Sequence, residues 1–180
     1  MEKGAIMADE IVMRDENGLT EEEFLSQYSS EGYQKPSLTA DILIFRKTGD
    51  DIDLLMIRRK GHPFRGCLAL PGGFAEPGET IETSAARELQ EETNLTDQEL
   101  KLTGIYSRPG RDPRGWTVSA AFATVVDGDK LSPEAGDDAA SIHWVPIGRG
   151  AAGSYQIKAD DKVAFDHREI IRDAARIMLG

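Results

Sequence analysis

The stretch GFAEPGETIETSAARELQEETNL, residues 73–95, constrains this chain more than any other. Thr80 suits a helix N-cap, and Asn94 suits a helix stop, because Asn tolerates the left-handed conformation. At 100° per residue, a helix between them puts Glu88, Glu91 and Glu92 on one stripe about 100° wide. Ala85 and Leu89 border that stripe, so such a helix can lay an apolar edge on a sheet while its glutamates reach a cleft. Like charges at i, i+3 and i+4 repel, and a sequence shaped only for stability would place Lys or Arg among them. A bound cation would relieve the repulsion. Taken alone, however, a glutamate-rich helix face is more often simply solvated.

The rest of the chain supplies the sheet. SLTADILIFR and IDLLMIRR, joined by KTGDD, read as two strands with a Gly-Asp hairpin signal. KLTGIYS, WTVSAAFATVV and SIHWVPI read as further strands, and the apolar spacing from Ala164 to Leu179 predicts a C-terminal helix. A basic loop, RRKGHPFRG, leads into CLALPGGF, and a second loop, RPGRDPRG, separates two strands. Ahead of these lies an acidic leader, residues 1–36, whose nine acids and three bases give a local charge of −6. Within it, Thr20 followed by Glu23 marks a capping box and a short helix. The expected division is a leader over 1–36 and one domain over 37–180.

Composition narrows the chemistry. At 180 residues the chain holds one ordinary domain, and a net charge of −11 disfavours gripping nucleic acid by counterion release. No apolar run approaches the eighteen or so residues that a membrane span requires, and Glu2, Asp9 and Glu10 stand where a signal peptide would be basic. The expected location is therefore cytoplasmic, with no membrane partner. Cys67 is the single cysteine and reads as a small buried hydrophobe. His62, His143 and His167 are too scattered to form a metal-binding pair. Oxygen ligands must then hold any metal, which points to Mg²⁺ or Mn²⁺.

The joint spacing of Gly73, Glu79, Arg87, Glu88, Glu91 and Glu92 resembles the Nudix box, G-x5-E-x7-R-E-U-x-E-E-x-G-U, in which U is aliphatic. Residue frequencies put a chance match of those six positions on the order of 10⁻⁷ at one site. Asn94 replaces the final glycine, a substitution that a left-handed helix stop tolerates. LPGGF and the flanking strands extend the resemblance over about residues 37–147, with Leu68 at a position where the family often has Trp. The resemblance implies a Nudix-like α/β/α sandwich with a mixed curved sheet, the box as loop-helix-loop, and a C-terminal helix. It also implies that Gly73 lets the backbone approach a metal, that Arg87 orients the glutamates, and that Glu88, Glu91 and Glu92 bind metal or activate water. A homodimer is expected on the same ground.

Arg58, Arg59, Lys60 and Arg65 form a basic patch just before the box, suited to substrate phosphates or to ordinary solvation. Pro109, some fifteen residues beyond the box, and the RDPRG run containing Arg111 and Arg114 resemble the ADP-ribose pyrophosphatase branch. The implied reaction is metal-dependent hydrolysis of a nucleoside diphosphate linked to another moiety. ADP-ribose, giving AMP and ribose 5-phosphate, is the first candidate. The general base is either Glu88 or one of Glu134, Asp137 and Asp138 in the loop SPEAGDDAA. Two alternatives are an ADP-ribose-sensing module without turnover and a Nudix enzyme acting on an oxidised nucleoside triphosphate, a dinucleoside polyphosphate or NADH. The sensing regulators that resemble this branch carry a winged helix, for which the 33 residues after the last expected strand are too few. Tyr33, Phe74, Tyr106 and Trp116 are candidates to stack on a base, although aromatics in such a domain are more often core.

Overall fold

A computed structural model describes residues 13–128, 133, 139–150, 153–158 and 161–180. The chain comprises two compact units, Met1–Lys35 and Pro36–Gly180. In the first, helix α1 (Glu21–Gln27) opens with the expected capping box: Thr20 accepts from the Glu23 N–H while the Glu23 carboxylate accepts from the Thr20 N–H. This helix buries none of its residues.

The second unit is built on a mixed sheet. Strands β1 (Ser37–Thr48) and β2 (Asp51–Arg59) form the expected hairpin, turned at Gly49 with a φ of 61°. Two short strands follow, β3 (Leu68–Ala69) and β4 (Gly72–Phe74), then helix α2 (Ile81–Thr93), strands β5 (Lys101–Tyr106), β6 (Thr117–Asp127), β7 (Ala139–Arg149) and β8 (Tyr155–Ile157), and helix α3 (His167–Leu179). Among the described residues the strand order is β5-β6-β1-β2-β7-β8, with β3 added to β2 and β4 to β1. Among the described residues, β1 and β6 pair in parallel and the other strand pairings are antiparallel. Strands β3, β4 and β8 were not apparent in the sequence, because two or three residues are too few to establish an alternating pattern.

Both faces of the central strands are covered, so β1 is buried continuously from Thr39 to Phe45. Ile42, Ile44 and Leu55 pack with Ala85 and Leu89 of α2 on one side. Leu43, Phe45, Leu54 and Met56 pack with Ile170, Ile171 and Ala174 of α3 on the other. Each such large side chain contributes about 1.5–3 kcal/mol by leaving water. The expected α/β/α arrangement therefore follows from alternate residues of the same strands facing two different helices. Leu68, at the position where Trp is common, is itself fully buried in the α3-side core. Cys67 is partly buried against Ile57, Ala69 and Ala164, as its hydrophobic reading required.

Helix α2 begins and ends where its residues dictate. The Thr80 hydroxyl accepts from the Thr83 N–H, and Asn94 adopts φ 57°, ψ 16°, the left-handed geometry usually given to glycine. The loop entering α2 is tied to the sheet through β4, whose Gly72 pairs with Asp41 of β1. A Cβ on Gly72 would stand 2.1 Å from the Ala40 carbonyl oxygen, and its φ of +148° also excludes other residues. Gly72→Ala should therefore lower unfolding free energy by about 2 kcal/mol or more, read from urea denaturation. An unchanged midpoint would mean that the β1–β4 pairing is looser than this contact requires.

Candidate active site

The candidate site is a cavity of about 770 Å³ lined by the β4 loop, one face of α2, the end of β2, the arginine loop and the head of α3. Arg87 organises its acidic side. Its Nε and Nη2 donate to Glu79 at 3.2 and 2.8 Å, its Nη1 to Glu88 and Glu91 at 2.8 and 3.0 Å, and its Nη2 to the Phe74 carbonyl at 2.9 Å. Three carboxylates and one backbone carbonyl thus share a single planar guanidinium, a task for which Lys has the wrong shape. Glu79 also accepts from the Ser84 hydroxyl and the Glu76 N–H, both at 2.6 Å. These bonds, led by those from Arg87, hold the Glu79 carboxyl down to about 2.

Glu88 is shifted the other way. Burial raises its pKa, and the neighbouring Arg87 only partly offsets this. Its carboxylate sits against Gly73, where a Cβ would come within 2.4 Å of both oxygens. Glu92 turns to the backbone instead, accepting from the Gly72 N–H at 2.8 Å. Of the six box residues, Gly73, Arg87, Glu88, Glu91 and Glu92 line the one cavity, while Glu79 stands behind Arg87 outside the lining.

Among the described residues, no three His, Cys, Asp or Glu side chains are gathered closely enough to hold an ion. The reason is visible in the bonds just given: Arg87 draws in Glu88 and Glu91 while Gly72 holds Glu92. The donors nevertheless suit a hard divalent cation. They are all oxygens, they lie on one helix face, and the space that a side chain at Gly73 would fill is taken by the Glu88 carboxylate. The alternative bases Glu134, Asp137 and Asp138 lie outside the described residues.

The expected substrate arginines divide into two groups. Arg59, Arg111 and Arg114 line the cavity, together with Lys60. Arg58 lies outside it, bonded to the Gly66 carbonyl and to Asp161, and Arg65 and the exposed Pro109 also lie outside. Arg114 grips Asp112 through Nε and Nη2, at 3.0 and 2.7 Å, yet keeps 40% of its side chain exposed. Its guanidinium lies over the rings of Phe74 and Phe165, at 4.7 and 5.4 Å. Arg111 is enclosed and doubly bonded to Asp166 at 2.9 and 2.7 Å. Burial works against its charge, but Asp166, Asp41 and Asp112 outweigh that and raise its pKa. Of the four aromatic candidates, only Phe74 lines the cavity. Tyr106 packs against the core and is pushed up to about 12, chiefly by burial.

Several cavity residues were not singled out in the sequence. Asp41, an acid inside an apolar strand, is bonded to the Ser119 hydroxyl and lies 3.7 Å from Arg111. His167 is wholly buried, which lowers its pKa against the pull of Asp41 and Asp166, and its Nδ1 accepts from the Leu70 N–H at 2.9 Å. Phe165 stands at the cavity wall with a φ of 51°. An acid amid SLTADILIFR was the one signal available, since ionisable groups enter a core only with partners.

A model of the NUDIX domain matches residues 35–173. The chain belongs to the Nudix family. This Nudix chain is 41% identical over 144 residues to the ADP-ribose pyrophosphatase of Methanocaldococcus jannaschii, a match covering 80% of the chain and 76% of that protein. It is also similar to the NUDIX domain of Shewanella oneidensis NrtR complexed with ADP ribose. That TM-score is 0.75 at 25% identity, over 88% of this chain and 99% of the other. A bifunctional NMN adenylyltransferase/ADP ribose pyrophosphatase from Francisella tularensis, complexed with AMP and a Mn ion, matches with a TM-score of 0.64 and 31% identity. The match covers 77% of this chain and 41% of that one. Among the described residues, no helix is long and apolar enough to cross a membrane.

The Glu79–Arg87 pairing has a consequence for acid stability. The Glu79 pKa lies near 2 in the folded chain against an ordinary 4.5, so its contribution is complete above pH 4.5 and is lost as pH falls towards 2. Glu79→Gln should flatten the pH dependence of the urea midpoint in that window and leave it parallel to wild type at neutral pH. Identical acid limbs for the two proteins would contradict the pairing.

Proposed function

We propose that this Nudix protein hydrolyses ADP-ribose to AMP and ribose 5-phosphate by attack of water at phosphorus, using Mg²⁺ or Mn²⁺. The observation that carries this reading is that Glu88, Glu91 and Glu92 line the same cavity as Arg59, Lys60 and Arg114, so carboxylates for a metal and cations for a diphosphate share one space. The 41% identity to an ADP-ribose pyrophosphatase supports the choice of substrate, and the NrtR domain complexed with ADP ribose supports the fit of that ligand to the fold. The Mn ion in the Francisella structure supports a divalent cofactor.

The Gly73 backbone and Glu88, Glu91 and Glu92 would hold the metal, which when bound neutralises diphosphate charge and makes a coordinated water more acidic. Arg87 keeps Glu88 and Glu91 on the cavity side of α2. Glu88, on the cavity face of α2, is one candidate to take a proton from the attacking water, and Glu134, Asp137 and Asp138 are the alternatives. Arg59, Lys60 and Arg114 offer donors to the phosphate oxygens, and Phe74 offers an exposed ring for an adenine.

A panel of ADP-ribose, NADH, a dinucleoside polyphosphate and an oxidised nucleoside triphosphate, assayed with Mg²⁺ and with Mn²⁺, tests the reading. ADP-ribose should have the highest kcat/KM, with AMP and ribose 5-phosphate formed in equal amounts. The Glu91→Gln/Glu92→Gln double variant should lose at least about 10³-fold in kcat with its thermal midpoint nearly unchanged. Wild-type turnover by that variant would refute the metal assignment, and tight ADP-ribose binding without turnover by the wild type would identify a sensor instead.

A further inference from the structure

We propose that Phe165, Asp166 and His167, three consecutive residues at the head of α3, form a positioning triplet that assembles the phosphate-facing wall of the cavity. The inference rests on the reading that this cavity takes a diphosphate.

Each member of the triplet reaches a different remote segment. Phe165 carries the guanidinium of Arg59 at 5.1 Å and that of Arg114 at 5.4 Å, so one ring serves cations from the end of β2 and from the arginine loop. Asp166 gives both carboxylate oxygens to Arg111, 55 positions away. His167 accepts through Nδ1 from the Leu70 N–H, 97 positions away, just before the loop that carries Gly72 and Gly73. Accepting that bond requires Nδ1 to carry no proton, and burial lowers the pKa of the ring in the same sense.

Two features set this segment apart from an ordinary helix start. Asp166 occupies the N-cap of α3, where an Asp normally caps the helix, yet its side chain makes no capping bond. Phe165 has a φ of 51°, a conformation rarely adopted by a bulky residue, and its edge contact at 4.8 Å is with Phe64, which is also left-handed at 60°. The apolar face of α3 is buried by Ile170, Ile171, Ala174 and Ala175, with His167 buried beside them at the head of the helix. A forgone cap and a strained aromatic are consistent with a head segment selected for what it holds in place.

The triplet thereby acts on substrate through other residues. Arg59 and Arg114 line the cavity with their guanidinium groups over Phe165; Arg59 also donates through Nε to the Pro63 carbonyl, and Arg114 is supported in addition by Asp112 and Phe74. Removing the aromatic face while keeping an apolar side chain should weaken the grip on phosphate and leave the metal-side carboxylates untouched.

Phe165→Leu is the test, with Phe165→Tyr as the conservative rescue. In ¹H–¹⁵N spectra of the full chain, the Arg59 and Arg114 Nε–H signals should move in Phe165→Leu as the ring-current shift is lost, and return in Phe165→Tyr. Titration with magnesium pyrophosphate should need roughly tenfold more ligand in Phe165→Leu than in wild type. For ADP-ribose, KM should rise by a similar factor while kcat changes by less than about threefold. Unmoved arginine signals with an unchanged pyrophosphate affinity would overturn the proposal, as would Leu and Tyr variants equally impaired with lowered thermal midpoints. Should the wild type fail to hydrolyse ADP-ribose, the functional reading falls, and the spectra and the pyrophosphate titration still decide for or against the support that Phe165 gives to Arg59 and Arg114.

Discussion

The guanidinium of Arg87 is the interaction on which the candidate site depends. Without it, Glu79, Glu88 and Glu91 would face one another around the start and face of α2 with nothing but water between them, and the helix would carry uncompensated repulsion. With it, the loop between β4 and α2 is closed by a bond to the Phe74 carbonyl and by a doubly bonded Glu79. The same bonds explain why the carboxylates are not gathered around a common point. Arg87 supplies positive charge among these carboxylates while engaging only one oxygen each of Glu88 and Glu91.

Two adjacent glycines let this loop approach the sheet and the helix at once. Gly72 lies under the Ala40 carbonyl and donates to Glu92, whereas Gly73 leaves room for Glu88. The pair therefore joins β1 to α2 with no intervening side chain. Since β1 is buried on both faces between the two helices, this link mounts the glutamates on the buried centre of the domain.

Charge is partitioned with similar economy. The whole chain carries −11, but the leader contributes −6 and residues 76–100 contribute −7, from eight acids and one arginine. The rest is slightly basic, and part of that basic remainder, Arg59, Lys60 and Arg114, lines the cavity with the box glutamates. A diphosphate with a divalent ion carries both signs of charge, so a cavity lined by both signs complements it better than a uniformly basic one would.

Much of the fold was legible because its signals are local. The capping box of α1, the Thr80 cap of α2, the 3.6-residue spacing of α2 and α3, the hairpin at Gly49 and the left-handed stop at Asn94 each involve residues within a few positions of one another. The acidic half of the site was legible for the same reason, since Gly73, Arg87, Glu88, Glu91 and Glu92 lie within twenty residues on one loop and one helix. Strands of two or three residues were not legible, nor was the basic half of the site. Arg58 and Arg59 are neighbours in the chain, but alternation along β2 and its end sends one to Asp161 and the other to the cavity. Arg111 meets Asp166, Ser119 meets Asp41 and His167 meets Leu70 across separations of 55, 78 and 97 residues, with partners chosen by burial. The sequence by itself determined which helix would carry the glutamates and how that helix would begin and end. Only the tertiary structure decided which cations would face them, because an ionisable side chain pairs with whatever charge the folded chain encloses beside it, and linear order does not encode that neighbour.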